Sequence, residues 1–249
     1  MNVVVTGGGT VAPIDDVRFI ANVSSGRFSA AITEACLRRG ATVWHVHTPS
    51  AQLPFRRSAE FDLDTVKPIE ECERLEFLRR EWCSVRDRLH LIPLRPGRVT
   101  DYASAMERLL RSERIDVAFL AMAVSDFAPE PVFGKIDSNA KHLLIRCEKT
   151  TKVIRQVKDW APEIYLAGFK LGSGLTTSEL IRQAEHACQT NRADLTIANE
   201  LTTLREGRHT VHLVRLNHEP ETLGPHENLA DSLVKRTFML AYEKKARPQ

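Results

Sequence analysis

The sequence predicts an α/β fold, a mostly parallel sheet with helices on both faces, and three observations carry that expectation. Short runs rich in β-branched residues recur at 3–5, 41–47, 89–94, 115–122, 164–169, 195–198 and 210–216. Helical patterns lie between them, near 27–39, 70–82, 101–113, 151–159 and 178–190. Such alternation belongs to parallel strands joined by crossover helices. No internal repeat or low-complexity tract interrupts it, so residues 1–249 read as a single α/β domain with a sizeable core.

Taken in order, the elements carry readable ends. The first strand runs into Gly7-Gly8-Gly9-Thr10, and the first helix stops at Arg38-Arg39-Gly40, with cations in its last turn. Residues 48–60 contain prolines and arginines and read as a surface loop. Residues 127–141 hold Pro129, Pro131 and Gly134 directly after an apolar strand. A long irregular segment in that place is more often a functional flap than a linker. Thr176 and Glu179 match a capping box ahead of an apolar stripe of Leu180, Ile181, Ala184, Ala187 and Cys188. The last helix sets Leu229, Leu233, Val234, Phe238 and Ala241 on one side, which is core packing.

Composition narrows the function classes. The formal net charge is only +3, and basic pairs such as Arg56-Arg57, Arg79-Arg80 and Lys244-Lys245 are short. A nucleic-acid binder would show a longer basic stripe with aromatics beside it, so no nucleic-acid partner is expected. The five cysteines (36, 72, 83, 147 and 188) are odd in number and form no C-x-x-C pair. That pattern argues against a disulfide framework or zinc ribbon and for a reducing cytoplasm. No apolar run is long enough for a membrane span. The first residues enter a strand at once, which leaves no room for a signal peptide and makes the Asn22-Val23-Ser24 sequon coincidental.

The glycine loop is the first chemical signal. Glycines after the first strand let backbone amides approach phosphate closely, and Gly7-x-Gly9-x-x-Ala12 satisfies a loose dinucleotide pattern. Two facts weaken that reading. Pro13 follows at once, with no helical pattern until after Gly26, and the second strand ends in His45-Val46-His47-Thr48, where an acid should hold a ribose hydroxyl. An NAD(P)-dependent oxidoreductase is therefore the weaker alternative. A plain tight turn would also explain the glycines alone.

The next residues are Ile14-Asp15-Asp16-Val17-Arg18-Phe19-Ile20-Ala21-Asn22-Val23-Ser24-Ser25-Gly26. With the glycine loop they resemble the opening signature of the phosphopantothenate–cysteine ligases, or phosphopantothenoylcysteine synthetases. Further blocks resemble that family in its own order: Ala121-Met122-Ala123-Val124-Ser125-Asp126, Lys135-Ile136, Lys149-Thr150-Thr151-Lys152-Val153-Ile154, Ala167-Gly168-Phe169-Lys170-Leu171 and Ala193-Asp194-Leu195-Thr196-Ile197-Ala198-Asn199. The likeness spans residues 5 to 199 and is most like the free-standing bacterial ligases, any decarboxylase partner being a separate protein. It implies a Rossmann-like domain with its active site at the strand carboxyl ends, and a homodimer whose substrate site is completed near the subunit boundary. The implied reaction belongs to coenzyme A biosynthesis. The 4′-phosphopantothenate carboxylate attacks CTP (ATP in some relatives) with Mg²⁺, giving an acyl-cytidylate, and cysteine then displaces CMP to form an amide.

The same likeness assigns roles. Asn22 would hold the acyl-nucleotide, its amide able to donate and accept, with Arg18 and Ala123 beside the substrate. Lys135, in the flap, would neutralise charge developing at the α-phosphate. Asn22 and Lys135 are thus the catalytic candidates. Gly8, Gly9 and Thr10, with Ser24, Ser25 and Gly26 at a helix start, would seat the triphosphate. Asp126 would stand by the nucleotide, through Mg²⁺ if one is used, and Thr151, Lys152, Val153 and Phe169 would flank the base. No metal ligands are otherwise assigned.

Two positions and one stretch depart from the family pattern. Ala12 replaces a common glutamate and Ser29 a common glycine. The helix before Ala193 usually carries lysines that reach the nucleotide, yet here the stretch reads His186-Ala187-Cys188-Gln189-Thr190-Asn191. That puts the base or ribose contact in doubt and leaves a non-catalytic nucleotide-binding paralogue as a further alternative. His209 and His212, three apart on a strand, point to opposite faces and make a poor metal pair.

Overall fold

The computed structural model describes residues 1–139, 141–225 and 228–246. Its strands are β1 (Asn2–Gly7), β2 (Val11–Pro13), β3 (Phe19–Ala21), β4 (Thr42–His47), β5 (Leu89–Pro93), β6 (Val117–Leu120), β7 (Phe127–Pro129), β8 (Cys147–Lys149), β9 (Tyr165–Gly172), β10 (Leu195–Glu200), β11 (Val211–Val214) and β12 (Glu221–Leu223). The helices are α1 (Arg27–Arg38), α2 (Pro68–Val85), α3 (Val99–Ser112), α4 (Val153–Trp160), α5 (Thr177–Asn191), α6 (Leu201–Arg205) and α7 (Leu229–Ala246). Each strand and helix expected from the sequence is present.

Eight strands form one sheet in the order β12-β11-β10-β9-β6-β1-β4-β5. The run from β10 to β5 is parallel, and β11 and β12 add an antiparallel edge. From β1 the chain winds outward through β4 to β5, then returns to lay β6 on the other side of β1. The strand order therefore reverses between β1 and β6, the crevice where sheets of this Rossmann-like kind take ligands at the strand carboxyl ends. Pleating divides the core. Val3 and Val5 join α1 and α7 on one face, while Val4, Ala118 and Leu120 join Tyr102, Met106 and Leu109 of α3 and Val157 of α4 on the other.

Helix ends follow their sequence signals. Gly40 closes α1 with a positive φ of 80°, and Thr176 and Glu179 form the capping box that opens α5. The loop at 48–60 is less superficial than its prolines and arginines suggest. Phe55 is buried against Trp82, and Glu34 accepts the Phe55 amide at 2.7 Å while pairing with Arg57. The segment 127–141 begins as strand β7, paired antiparallel with β8. Its 132–136 stretch lies against the 14–18 turn. Ala140 of that flap lies outside the described residues.

Candidate active site

Between β1 and α1 the chain makes a hairpin, β2–β3, in place of the immediate helix of a dinucleotide loop. Pro13 is part of the reason, since it ends the first hairpin strand and cannot supply a helical amide. The hairpin brings Asn22 back onto the glycine loop, where the Asn22 amide donates to Thr10 O at 3.2 Å. A Cβ on Gly9 would stand 2.1 Å from the Asn22 carbonyl oxygen, so only glycine fits. Gly8, at φ 89°, is packed equally tightly against Thr48.

The segment leaving β6 is stitched to the same loop. Ala123 N donates to Gly8 O at 2.9 Å, Thr10 N to Ala123 O at 3.0 Å, and Ser125 N to Thr10 Oγ1 at 3.0 Å. Thr150 N then donates to Asp126 O at 3.0 Å, which carries the strand exit onto the start of α4. These bonds aim Asn22, Ala123, Asp126, Lys152, Val153 and Phe169 into one cleft of ≈ 970 Å³. Asp126 is ion-paired with Lys152, so each neutralises the other within the cleft wall. Phe169 is half-buried and meets the edge of Phe28, with ring centroids 6.3 Å apart.

Other expected residues stand behind or beside that wall. Thr10 is wholly buried, with its amide and hydroxyl both engaged inside the protein. Gly8 and Gly9 are explained by close backbone packing. Gly26, not a serine, is the N-cap of α1, in a left-handed conformation that makes no side-chain cap bond. Ser24, Ser25 and Thr151 flank wall residues without lining the cleft. Arg18 and Lys135 are also absent from the wall. Arg18 bonds Asp15 and the Ile136 carbonyl instead, and Lys135 stands exposed on the docked flap.

Of the far wall the sequence reading named only the 186–191 stretch, as the place where family lysines reach the nucleotide, and missed the rest. Glu179, Arg182, Gln183, His186, Ala187, Thr190 and Asn191 line the cleft from one face of α5, beside the buried stripe of Leu180, Ala184 and Cys188. Their spacing of three and four residues is the signal that was available. Arg155 of α4 and Lys170 of β9 join them. The helix lacks lysines near its end, as its sequence says, but Arg155, Lys170 and Arg182 bring three positive charges to the same cleft. Among the described residues none of the three is in an ion pair.

The family model described as the DNA/pantothenate metabolism flavoprotein C-terminal domain matches residues 1–72 and 98–240. The chain belongs to this family. The unmatched residues 73–97 carry most of α2 and all of β5, at the sheet edge away from the cleft. A relative, the coenzyme A biosynthesis bifunctional protein CoaBC of Thermococcus kodakarensis, is 33% identical over 215 residues, which cover 85% of this chain and 44% of that protein. The chain thus spans about half the length of that relative. Phosphopantothenate–cysteine ligase 1 of Oryza sativa subsp. japonica is 27% identical over 81% of this chain and 69% of its own. The crystal structure of the DNA/pantothenate metabolism flavoprotein from Streptococcus pneumoniae superposes with a TM-score of 0.75 at 25% identity, covering 99% of this chain and 100% of that one.

Proposed function

We propose that the protein is a phosphopantothenate–cysteine ligase of coenzyme A biosynthesis. A carboxylate oxygen of 4′-phosphopantothenate attacks the α-phosphorus of CTP, and the bond to pyrophosphate breaks. The cysteine amine then attacks the acyl carbon of the cytidylate, CMP leaves, and the amine gives up a proton as the amide forms. The observation that carries this reading is the cleft at the β1/β6 reversal, which unites Asn22, Ala123 and Asp126 with the cations of Arg155, Lys170 and Arg182. Both substrates of the first step are polyanions, and a cationic wall suits them. The α1 amino terminus carries no acid in its first turn and adds a second favourable end for phosphate.

No group of three or more His, Cys, Asp or Glu side chains among the described residues is placed to hold a metal. Mg²⁺ typically keeps one or two carboxylates and takes the rest of its shell from phosphates and water. Asp126 fits that role once Lys152 is displaced, and the ion would arrive on the nucleotide to neutralise phosphate charge. The five free thiols fit a reducing cytoplasm, and no helix of the described residues is long and apolar enough to cross a membrane.

A homodimer completes the proposal. Val17, Phe19, Val23, Val132 and Phe133 are exposed on and beside the hairpin, Phe133 at 98%, and a patch of this kind marks an association surface. Lys135 is rooted in that surface, so pairing of two copies would let it serve a cleft it does not line in one chain. Incubation with CTP, Mg²⁺, 4′-phosphopantothenate and cysteine tests the reading: pyrophosphate and the amide product are expected. Nucleotide binding without turnover would reduce the protein to a binding paralogue, and tight NADPH fluorescence quenching would point to the oxidoreductase.

A further inference from the structure

Asp15 is a buried acid that touches nothing in the cleft. Its side chain is fully shielded from solvent. Oδ1 accepts the amides of Val17 at 2.9 Å and Arg18 at 2.7 Å, while Oδ2 accepts the Ile136 amide at 3.1 Å and Arg18 Nε at 2.9 Å. Burial pushes its carboxyl pKa up, but the bonds from Val17, Ile136 and Arg18 outweigh that and hold it far below the usual carboxylate range. It is therefore a permanent anion whose acceptor positions are used inside the protein.

What those bonds hold is the backbone around Lys135. Arg18 Nη2 donates to Ile136 O at 2.7 Å, closing a ring with Asp15 on the carboxyl side of the lysine. On the amino side, Gly134 N donates to Asp16 Oδ2 and Asp16 N to Gly134 O, each at 3.1 Å. Val132 N to Ile14 O adds a third tie at 2.9 Å. The residues before and after Lys135 are thus both pinned to one turn, 121 positions earlier in the chain at the Asp15–Ile136 bond. The lysine's freedom is confined to its own side chain.

We propose that Asp15 is a positioning residue that sets the root of Lys135, so that the ammonium is delivered to the reacting phosphate from a fixed point. This rests on the reading that Lys135 serves the activation step. A lysine side chain on a loose loop would spread over many placements, and misplacement by about 1 Å can cost on the order of a hundredfold in rate.

The test is a double-mutant cycle on pyrophosphate formation, using the full chain with CTP, Mg²⁺, 4′-phosphopantothenate and cysteine, so that the enzyme turns over. Asp15→Asn is expected to slow kcat by about tenfold or more, with KM for CTP within about twofold. In a Lys135→Ala background the same change is expected to add almost nothing, because its effect runs through the missing side chain. Amide hydrogen exchange at Gly134 and Ile136 should rise in Asp15→Asn. If that variant fails to fold, Asp16→Ala, an exposed change that removes the Gly134 acceptor, is expected to give the same non-additivity on a smaller scale. A slow Lys135→Ala enzyme in which Asp15→Asn costs the same factor again would overturn the positioning role alone. Full activity in Lys135→Ala would instead remove the lysine's role, and this proposal with it.

Discussion

Asn22 has its backbone committed twice, its amide to Thr10 and its carbonyl oxygen against Gly9, so only the carboxamide is free to face the cleft. Under the ligase reading that amide must donate as well as accept. Asn22→Asp keeps the size and removes the donor, so turnover to the amide product is expected to stop while the thermal midpoint stays near that of the parent. Normal product yield in that variant would withdraw Asn22 from the mechanism. Arg182 supports a second expectation. It lines the cleft and is unpaired among the described residues, so Arg182→Gln should weaken CTP binding by about tenfold, or ~1.4 kcal/mol. The salt dependence of CTP binding, measured by titration calorimetry, should become shallower as well.

The elements explain which parts of this were legible in the sequence. Alternating runs located each strand of the parallel sheet and every helix longer than one or two turns, because burial on two faces leaves strong apolar patterns. The short strands β2, β3, β7, β8 and β12 have three residues each, too few to carry a period. Motifs placed the near wall at Asn22, Ala123 and Asp126. Glu179, Arg182 and Gln183 of the far wall escaped because they are ordinary polar side chains on an amphipathic helix, and only the packing of α5 says what its polar face looks toward. The glycines read as a phosphate cradle were recognisable as a close approach, and in the structure they lie tightly against Thr48 and Asn22. Gly9→Ala should therefore cost about 2–3 kcal/mol of stability through overpacking, readable as a lowered midpoint in urea. Beneath the loop, His45 is wholly buried and bonded to Thr33, and burial, aided by His47, drops its pKa to about 3. An unfolded chain takes up that proton near pH 6.5, whereas the folded protein refuses it until about pH 3. Stability should fall with pH across that window by up to about 1.4 kcal/mol per unit. His45→Gln should flatten the slope of urea midpoint against pH between 4 and 7.

At the scale of the whole molecule, the proposed homodimer would pair through the exposed hairpin and flap face. Phe133→Glu is expected to halve the mass seen in sedimentation equilibrium without altering the far-ultraviolet circular dichroism. A parent protein that sediments as a monomer at micromolar concentration would rule out the dimer. The sheet joins its two halves through the β1–β6 pair, and α7 binds them again. It packs on α1, with Asp231 paired to Arg39, and its Lys244 and Lys245 reach Asp194 and Asp116. Helix α1 thus waits for α7, about 190 residues later in the sequence, to cover its outer surface. A nascent chain stalled before α7 should expose that bare apolar side to chaperones and proteases, and the protein should gain protection in one late step rather than half by half.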